Sequence, residues 1–199
     1  MLTDERLMER LKNGETDAID ELYRRYARKL YAFCYSITRS EASEDLVQDV
    51  FMRVITAARS FNPRKASFRT WVFRIVRNHC IDFVRRRIRM KTGFAPIEKA
   101  AGWDDDEETA SVDAFVDDTV DVEASVIQAS IIEAVRGCID ELENEQEKHA
   151  IVLYYIAEKV YREIGEILGR STSMAKNRVK SAQEKIKRCL ERKGIDSFP

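Results

Sequence analysis

Between Ser43 and Phe61 the chain reads SEDLVQDVFMRVITAARSF. At about 100° per residue, Leu46, Val47, Val50, Phe51, Val54, Ile55 and Ala58 collect on one side, the spacing of an amphipathic helix with a well-filled apolar stripe. Asp45, Gln48, Asp49 and Met52 fall on the other side. A methionine inside a polar face reads either as an ordinary solvated face with one stray apolar residue or as a surface that a partner covers.

Similar periodicities run along most of the chain. Asp4 to Leu11 suits a short helix, Asn13-Gly14 breaks it, and Thr16 is placed to cap the next. In that next helix Ile19, Leu22, Tyr23, Tyr26, Leu30, Phe33, Cys34 and Ile37 recur at steps of three and four. Ser43 is placed to cap the helix described above, with Glu44 and Asp45 complementing its dipole. Pro63 makes Asn62 to Ala66 a loop, and Ser67 starts a long helix. Phe68, Trp71, Val72, Ile75, Val76, His79 and Phe83 form its inward side, and Arg74, Arg77, Asn78 and Arg85 lie opposite. Such a face can hold phosphates and base edges, or be a solvated basic face.

From Gly93 to about Glu123 the periodicity is lost, and WDDDEETASVDAFVDD is acidic throughout. A loop of that length suits a tether between domains; Trp103 and Phe115 within it suggest docking onto a folded domain or a partner. Helical spacing resumes near Val122 to Ser125 and continues through Ile131, Val135, Cys138, Ile139 and Leu142. A further helix spans about Glu145 to Ala157. In YREIGEILGRSTSMAKNRVKSAQEKIKRCL, a short apolar face of Ile164, Ile167 and Leu168 precedes Gly169. Ser171 or Thr172 then caps a helix with Ala175, Val179, Ala182, Ile186 and Cys189 inward. Helix, tight glycine turn and longer basic helix make a helix-turn-helix pattern, with Ser173, Lys176, Asn177 and Lys180 on its outward arc. The fold class is therefore all-α, with residues 1–91 and 125–199 as two small helical domains and 92–124 as an acidic flexible linker.

Charge sharpens this division. The formal net charge is −1, but Arg53 to Lys91 holds 12 Lys/Arg against one acid, Asp82. Ala100 to Val135 holds 11 Asp/Glu and no Lys/Arg, and Arg170 to Lys193 holds nine Lys/Arg against Glu184 and Glu191. Two basic segments around an acidic one read as two polyanion-binding modules on a tether that repels nucleic acid. No apolar run approaches membrane-spanning length and the N-terminus carries charges, so a cytoplasmic protein without membrane insertion is expected. Cys34, Cys80, Cys138 and Cys189 are far apart in sequence, which indicates neither a disulfide framework nor a zinc site. The adjacent His79-Cys80 reads as helix packing. No glycine-rich phosphate loop, metal cluster or catalytic triad stands out, so no cofactor and no enzymatic activity are expected.

These elements together resemble the extracytoplasmic-function (ECF) group of the bacterial sigma-70 family. ELYRRYARKLY, SEDLVQDVFMRV and FRTWVFRIVRNHCIDFVRRR are similar to its region 2, and Ile131 to Leu190, with YREIGEILG, Ser171, Lys176, Arg178 and Ala182/Glu184, to its region 4. The resemblance implies an alternative sigma factor: a subunit that binds core RNA polymerase and directs promoter recognition, promoter opening and transcription initiation. It places Asp45, Gln48, Asp49 and Met52 on the clamp helices of the polymerase's largest subunit. Asn62, Arg64, Lys65, Arg74, Arg77 and Asn78 would take the minus-ten element, and Ser173, Lys176, Asn177, Arg178, Lys180 and Ser181 the minus-thirty-five element. It also implies an anti-sigma factor as partner, and a linker that threads the polymerase cleft. Ser173 stands where the family has a glycine, Ser181 where it has a basic residue, and ELENEQEKHAIVLYY lacks a proline the family often carries. A stand-alone helix-turn-helix regulator and a sigma mimic that sequesters an anti-sigma factor are the alternatives.

Overall fold

The computed structural model describes residues 2–92 and 122–195, with side chains for 2–90 and 131–195. Every regular element among them is helical: α1 (Asp4–Lys12), α2 (Asp17–Thr38), α3 (Ser43–Ala57) with a 3-10 turn at Ala58–Ser60, α4 (Phe68–Thr92), α5 (Val122–Asp140), α6 (Glu145–Tyr155), α7 (Tyr161–Leu168) and α8 (Thr172–Arg192). The linker residues Trp103 and Phe115 lie outside the described residues.

In the N-terminal half, α2, α3 and α4 pack pairwise around Leu22, Leu30, Phe33, Val50, Val54, Phe68 and Val76, all withdrawn from solvent. The edge-on ring pairs Phe33–Phe73 and Tyr26–Phe68 add directional contacts to area burial. Helix α1 starts at Thr3, whose hydroxyl accepts from the Arg6 amide. It is clipped to α2 by Arg25, which reaches Asp4 at 2.7 Å and Glu21 at 2.9 Å. Glu5 caps α4 from a distance by accepting from the Phe68 amide, while Ser67 accepts from the Thr70 amide as the sequence leads one to expect.

Two expected caps work differently. Thr16 holds the N-cap position of α2 in αR conformation, and its side chain makes no cap bond. Ser43 is the first residue inside α3, after Ala42. The Ser40 hydroxyl already accepts from the Ala42 amide, and the buried Ser43 hydroxyl donates back to the Ser40 carbonyl at 2.6 Å.

In the C-terminal half α8 lies against α5, α6 and α7. The turn from α7 to α8 depends on two glycines. Gly169 closes α7 in the left-handed region at φ 65°, where an L side chain is strained. Gly165 lies so close to the next turn that a Cβ would sit 2.7 Å from the Arg170 carbonyl oxygen.

The cysteines correct the sequence expectation. Cys138 of α5 and Cys189 of α8 form a disulfide, with Cα atoms 5.7 Å apart. Cys34 of α2 and Cys80 of α4 are buried thiols whose sulfurs lie 3.4 Å apart. Separations of 46 and 51 residues hide both pairings in the linear chain. They bridge helices that only the fold brings together.

The two halves also touch: α4 packs on α7 and α2 on α6. Helix α4 therefore has two buried sides. Phe73 projects from the side that also bears Arg69, Arg74 and Arg77, and it is fully buried.

Candidate nucleic-acid and partner interfaces

Helix α3 turns Leu46, Val47, Val50, Phe51 and Val54 inward and leaves Asp45, Gln48 and Asp49 in solvent, with Met52 60% exposed. Ile55, expected inward, is 40% exposed and lengthens the apolar part of this surface. It lies on the margin between the two faces, where a purely angular assignment is ambiguous. Tyr23 of α2 is also half open at 42%, with its ring 4.8 Å from that of Phe51. Asp49 is held from below, because His79 of α4 places Nε2 3.1 Å from its Oδ2. Burial, then the nearby Arg53, lowers the His79 pKa. The ring is thus neutral near pH 7 and donates through Nε2, while its buried Nδ1 has no hydrogen-bond partner. No feature of the His79-Cys80 dipeptide points to Asp49, thirty residues away.

The loop before α4 is folded by its own polar groups. Asn62 Oδ1 accepts from the Arg64 amide at 2.9 Å and the Asn62 carbonyl from the Lys65 amide at 3.0 Å. Asn62, Arg64 and Lys65 stand in solvent. The face of α4 beyond it is less open than the sequence suggests. Arg74 donates to the Glu166 carbonyl of α7 at 2.9 Å, Arg69 to the Ala157 carbonyl at 3.1 Å, and Thr70 to Glu163 at 3.2 Å. Arg77 is half-buried with Nε unpartnered, and burial, then Arg85 and Arg170, lowers its pKa. Asn78 is exposed and accepts a long 3.4 Å bond from Arg77. This face carries the apolar Phe73 among its arginines; the C-terminal half buries Phe73 and part of Arg69 and Arg77, while Arg74 and Asn78 remain exposed.

In the helix-turn-helix, Ser171 caps α8 by accepting from the Met174 amide. Ser173, Lys176, Asn177 and Lys180 are all exposed near its N-terminal end. Arg178 and Ser181, in contrast, turn toward buried Glu147 of α6. The Ser181 hydroxyl donates to Oε1 at 3.0 Å, Arg178 approaches at 3.6 Å, and Lys185 reaches Oε2 at 2.6 Å. Burial alone would raise the Glu147 pKa; the bonds from Lys185 and Ser181 outweigh it, and the net shift is downward. Glu147 follows Glu145 on a helix of ordinary composition, so the sequence offers no signal that one is buried and the other exposed. Among the described residues no group of His, Cys, Asp or Glu is arranged to hold a metal ion, and no helix is long and apolar enough to cross a membrane.

Comparison with known proteins matches residues 22–90 to sigma-70 region 2 and residues 138–188 to sigma-70 region 4. The chain is 29% identical over 179 residues to the ECF RNA polymerase sigma factor SigM of Bacillus subtilis (strain 168), covering 89% of this chain and 98% of SigM. To SigW of the same organism, also an ECF RNA polymerase sigma factor, it is 28% identical over 184 residues, covering 92% and 94%. Its fold is similar to that of CnrH, solved in complex with the cytosolic domain of CnrY, with a TM-score of 0.67, 22% identity and coverage of 94% and 97%.

Proposed function

The chain belongs to the sigma-70 family, in its ECF group, and from that premise we infer that it is an alternative sigma factor. It binds core RNA polymerase and directs promoter recognition, promoter opening and transcription initiation. It works as a transcription initiation factor through contacts, in the cytoplasm. The observation that carries this reading furthest is the α3 surface. An outward stripe of Asp45, Gln48, Asp49, Met52 and Ile55 backs onto a fully packed core face, and the family resemblance supplies the partner that would cover it.

In this reading α3 contacts the clamp helices of the polymerase's largest subunit. The loop residues Asn62, Arg64 and Lys65 take the opened minus-ten strand, joined by Arg74, Arg77 and Asn78. A base drawn out of its stack there costs a few kcal/mol, which such contacts offset. Helix α8 enters the major groove of the minus-thirty-five element with Ser173, Lys176, Asn177 and Lys180 forward. Arg178 and Ser181 serve this helix from behind by fixing it to Glu147. Residues 92–124 act as the acidic tether along the polymerase's basic cleft, and an anti-sigma factor is the regulatory partner.

The test is run-off transcription with purified core polymerase and a panel of genomic promoters. Transcripts that depend on the added chain are expected. Absence of any complex with core would overturn the reading and favour a stand-alone DNA-binding regulator, and core binding without a transcript from any promoter would favour an anti-sigma decoy.

A further inference from the structure

The loop assigned above to the minus-ten strand is fixed at both ends as well as from within. Asn62 folds its centre, through the bonds from the Arg64 and Lys65 amides. Its two stems are held by α1, a helix to which the proposed function gives no part. Before the loop, the Lys12 ammonium group donates to the Phe61 carbonyl at 2.5 Å and lies 5.5 Å from the centre of the Phe61 ring. After the loop, a Glu5 carboxylate oxygen accepts from the Phe68 amide at 3.2 Å. These links cross 49 and 63 residues of sequence, and both end on backbone groups that flank the same exposed segment.

Glu5 and Lys12 are seven positions apart, which on an α-helix puts them on one face, two turns and about 10 Å from each other. Met8, between them on that face, is fully buried. The charges also run in the favourable sense. The acid, in the first turn of α1, meets the N-terminus of α4, whose own first turn holds no acid; the base, in the last turn of α1, meets a carbonyl. Helix α4 has a local cap in Ser67, which accepts from the Thr70 amide. Glu5 adds a second tie, and this one fixes where α4 starts relative to Phe61. The support itself is firm. Leu7, Met8 and Leu11 are buried, Thr3 caps the helix, and Asp4 takes Arg25 at 2.7 Å as well as the Tyr26 hydroxyl. Between the two held stems, Asn62, Arg64 and Lys65 stand in solvent.

We propose that Glu5 and Lys12 are positioning residues for minus-ten recognition: α1 is a strut that holds the two stems of residues 62–67 at a set separation, so that Asn62, Arg64 and Lys65 meet the unpaired strand in one arrangement. The inference rests on the sigma-factor reading above for the identity of the ligand. Its consequence is selectivity. A loop held at both ends needs no ordering when the right base arrives, and it cannot re-form its hydrogen bonds around a wrong one. A loop freed at either stem must be ordered by any base and can adapt to several. Losing the strut therefore lowers discrimination between promoters, beyond any loss of affinity common to all of them.

Four variants separate positioning from mere stability. Lys12→Met keeps the apolar stem and loses the donor, and Glu5→Ala loses the acceptor; Lys12→Arg keeps a donor and Glu5→Gln an acceptor. In run-off transcription by the holoenzyme, the promoter that gives the strongest transcript is set against versions of it with single base changes across the minus-ten element. Lys12→Met and Glu5→Ala are each expected to lower the ratio of original to altered transcript several-fold, and Lys12→Arg and Glu5→Gln to keep it near the wild-type value. Combining Lys12→Met with Glu5→Ala should cost little more than either alone, because each already frees the loop. An equal fall on every template with the ratio kept is the mark of a destabilised domain and would overturn the proposal; so would an unchanged ratio at full output. A second readout uses the free chain. The Lys65 and Ala66 amides, which bond to the Asn62 carbonyl, should exchange with solvent several-fold faster in Lys12→Met and Glu5→Ala than in wild type, measured by NMR, with the amides of α2 and α3 unmoved. Loop exchange that is unchanged, or that rises equally through α2 and α3, would sink the idea. This readout needs neither polymerase nor promoter, so a missing strut is distinguished from a failure of the sigma-factor reading, which is a wild-type holoenzyme that forms no transcript.

Discussion

Two histidines show how burial sets the chemistry of single residues. His79 is buried beneath Asp49 and holds its carboxylate on the α3 surface. Charge reversal in Asp49→Lys is expected to weaken core-polymerase binding by an order of magnitude or more and leave the thermal midpoint within a few degrees of wild type, because the side chain is half exposed. Unchanged affinity would remove α3 from the interface. His79→Gln, which loosens the carboxylate without removing it, should fall between the two. His149 titrates more deeply. Burial, then the nearby cations Arg77 and Lys148, lowers its pKa to about 3, and neither ring nitrogen has a hydrogen-bond partner; Glu145 lies 3.6 Å away. Its folded-state pKa is below its unfolded value of about 6.5, so the unfolded chain binds the extra proton between these limits. Stability is therefore fully present above pH 6.5 and declines at about 1.4 kcal/mol per pH unit as pH falls toward 3, or about 2 kcal/mol by pH 5. Denaturant melts at pH 7 and pH 5 check this. His149→Leu should flatten the dependence, and an unaltered slope would place the acid sensitivity elsewhere.

At the level of elements, the patterns that face water or core on one side only were legible in the sequence. Helix α8 is the clearest case: Ala175, Val179, Ala182, Ile186 and Cys189 are all buried, and Lys176, Asn177 and Lys180 are out. Three features escaped for related reasons. The outward side of α4 was legible as basic, but one phenylalanine among arginines gives no periodic sign that a second domain lies there. The family resemblance, and no periodicity, puts Arg178 and Ser181 on the minus-thirty-five element, and nothing in the sequence shows that both also meet Glu147 of α6. The cystine joins α5 to α8 across 51 residues of sequence, a separation that carries no local pattern. In the chain-entropy account, closing a loop of this length stabilises the fold by about 4 kcal/mol. Denaturation with and without a dithiol reductant should show a loss of that order in the C-terminal helices, and Cys138→Ser should reproduce it without reductant. A reductant-insensitive midpoint would mean that the bond does not form in solution. Gly165 is a second fixed point of this half. Gly165→Ala would press its Cβ against the Arg170 carbonyl, so a lower melting temperature and weaker DNA binding are expected together.

Over the whole molecule, a net charge of −1 is assembled from two strongly basic segments and one strongly acidic one, and DNA affinity depends on which cations are free to displace counterions. Each lysine or arginine that neutralises a phosphate contributes about −0.9 to the slope of log affinity against log salt concentration. Lys176 and Lys180 stand in solvent on the forward arc of α8. Arg178, two residues from each, lies 3.6 Å from Glu147, and its positive charge helps hold that carboxyl in its ionised form. Formal charge treats the three alike, whereas their surroundings do not. In holoenzyme binding to a promoter fragment over a salt titration, Lys176→Ala and Lys180→Ala should each lower affinity and flatten the slope by about one counterion, with unfolding midpoints unchanged. Arg178→Met should leave the slope in place and lower the midpoint, because it weakens the anchorage of α8 to α6 while removing no phosphate contact. A flattened slope with Arg178→Met, or an unmoved one with both lysine variants, would exchange their roles and rotate the DNA-facing side of α8 accordingly.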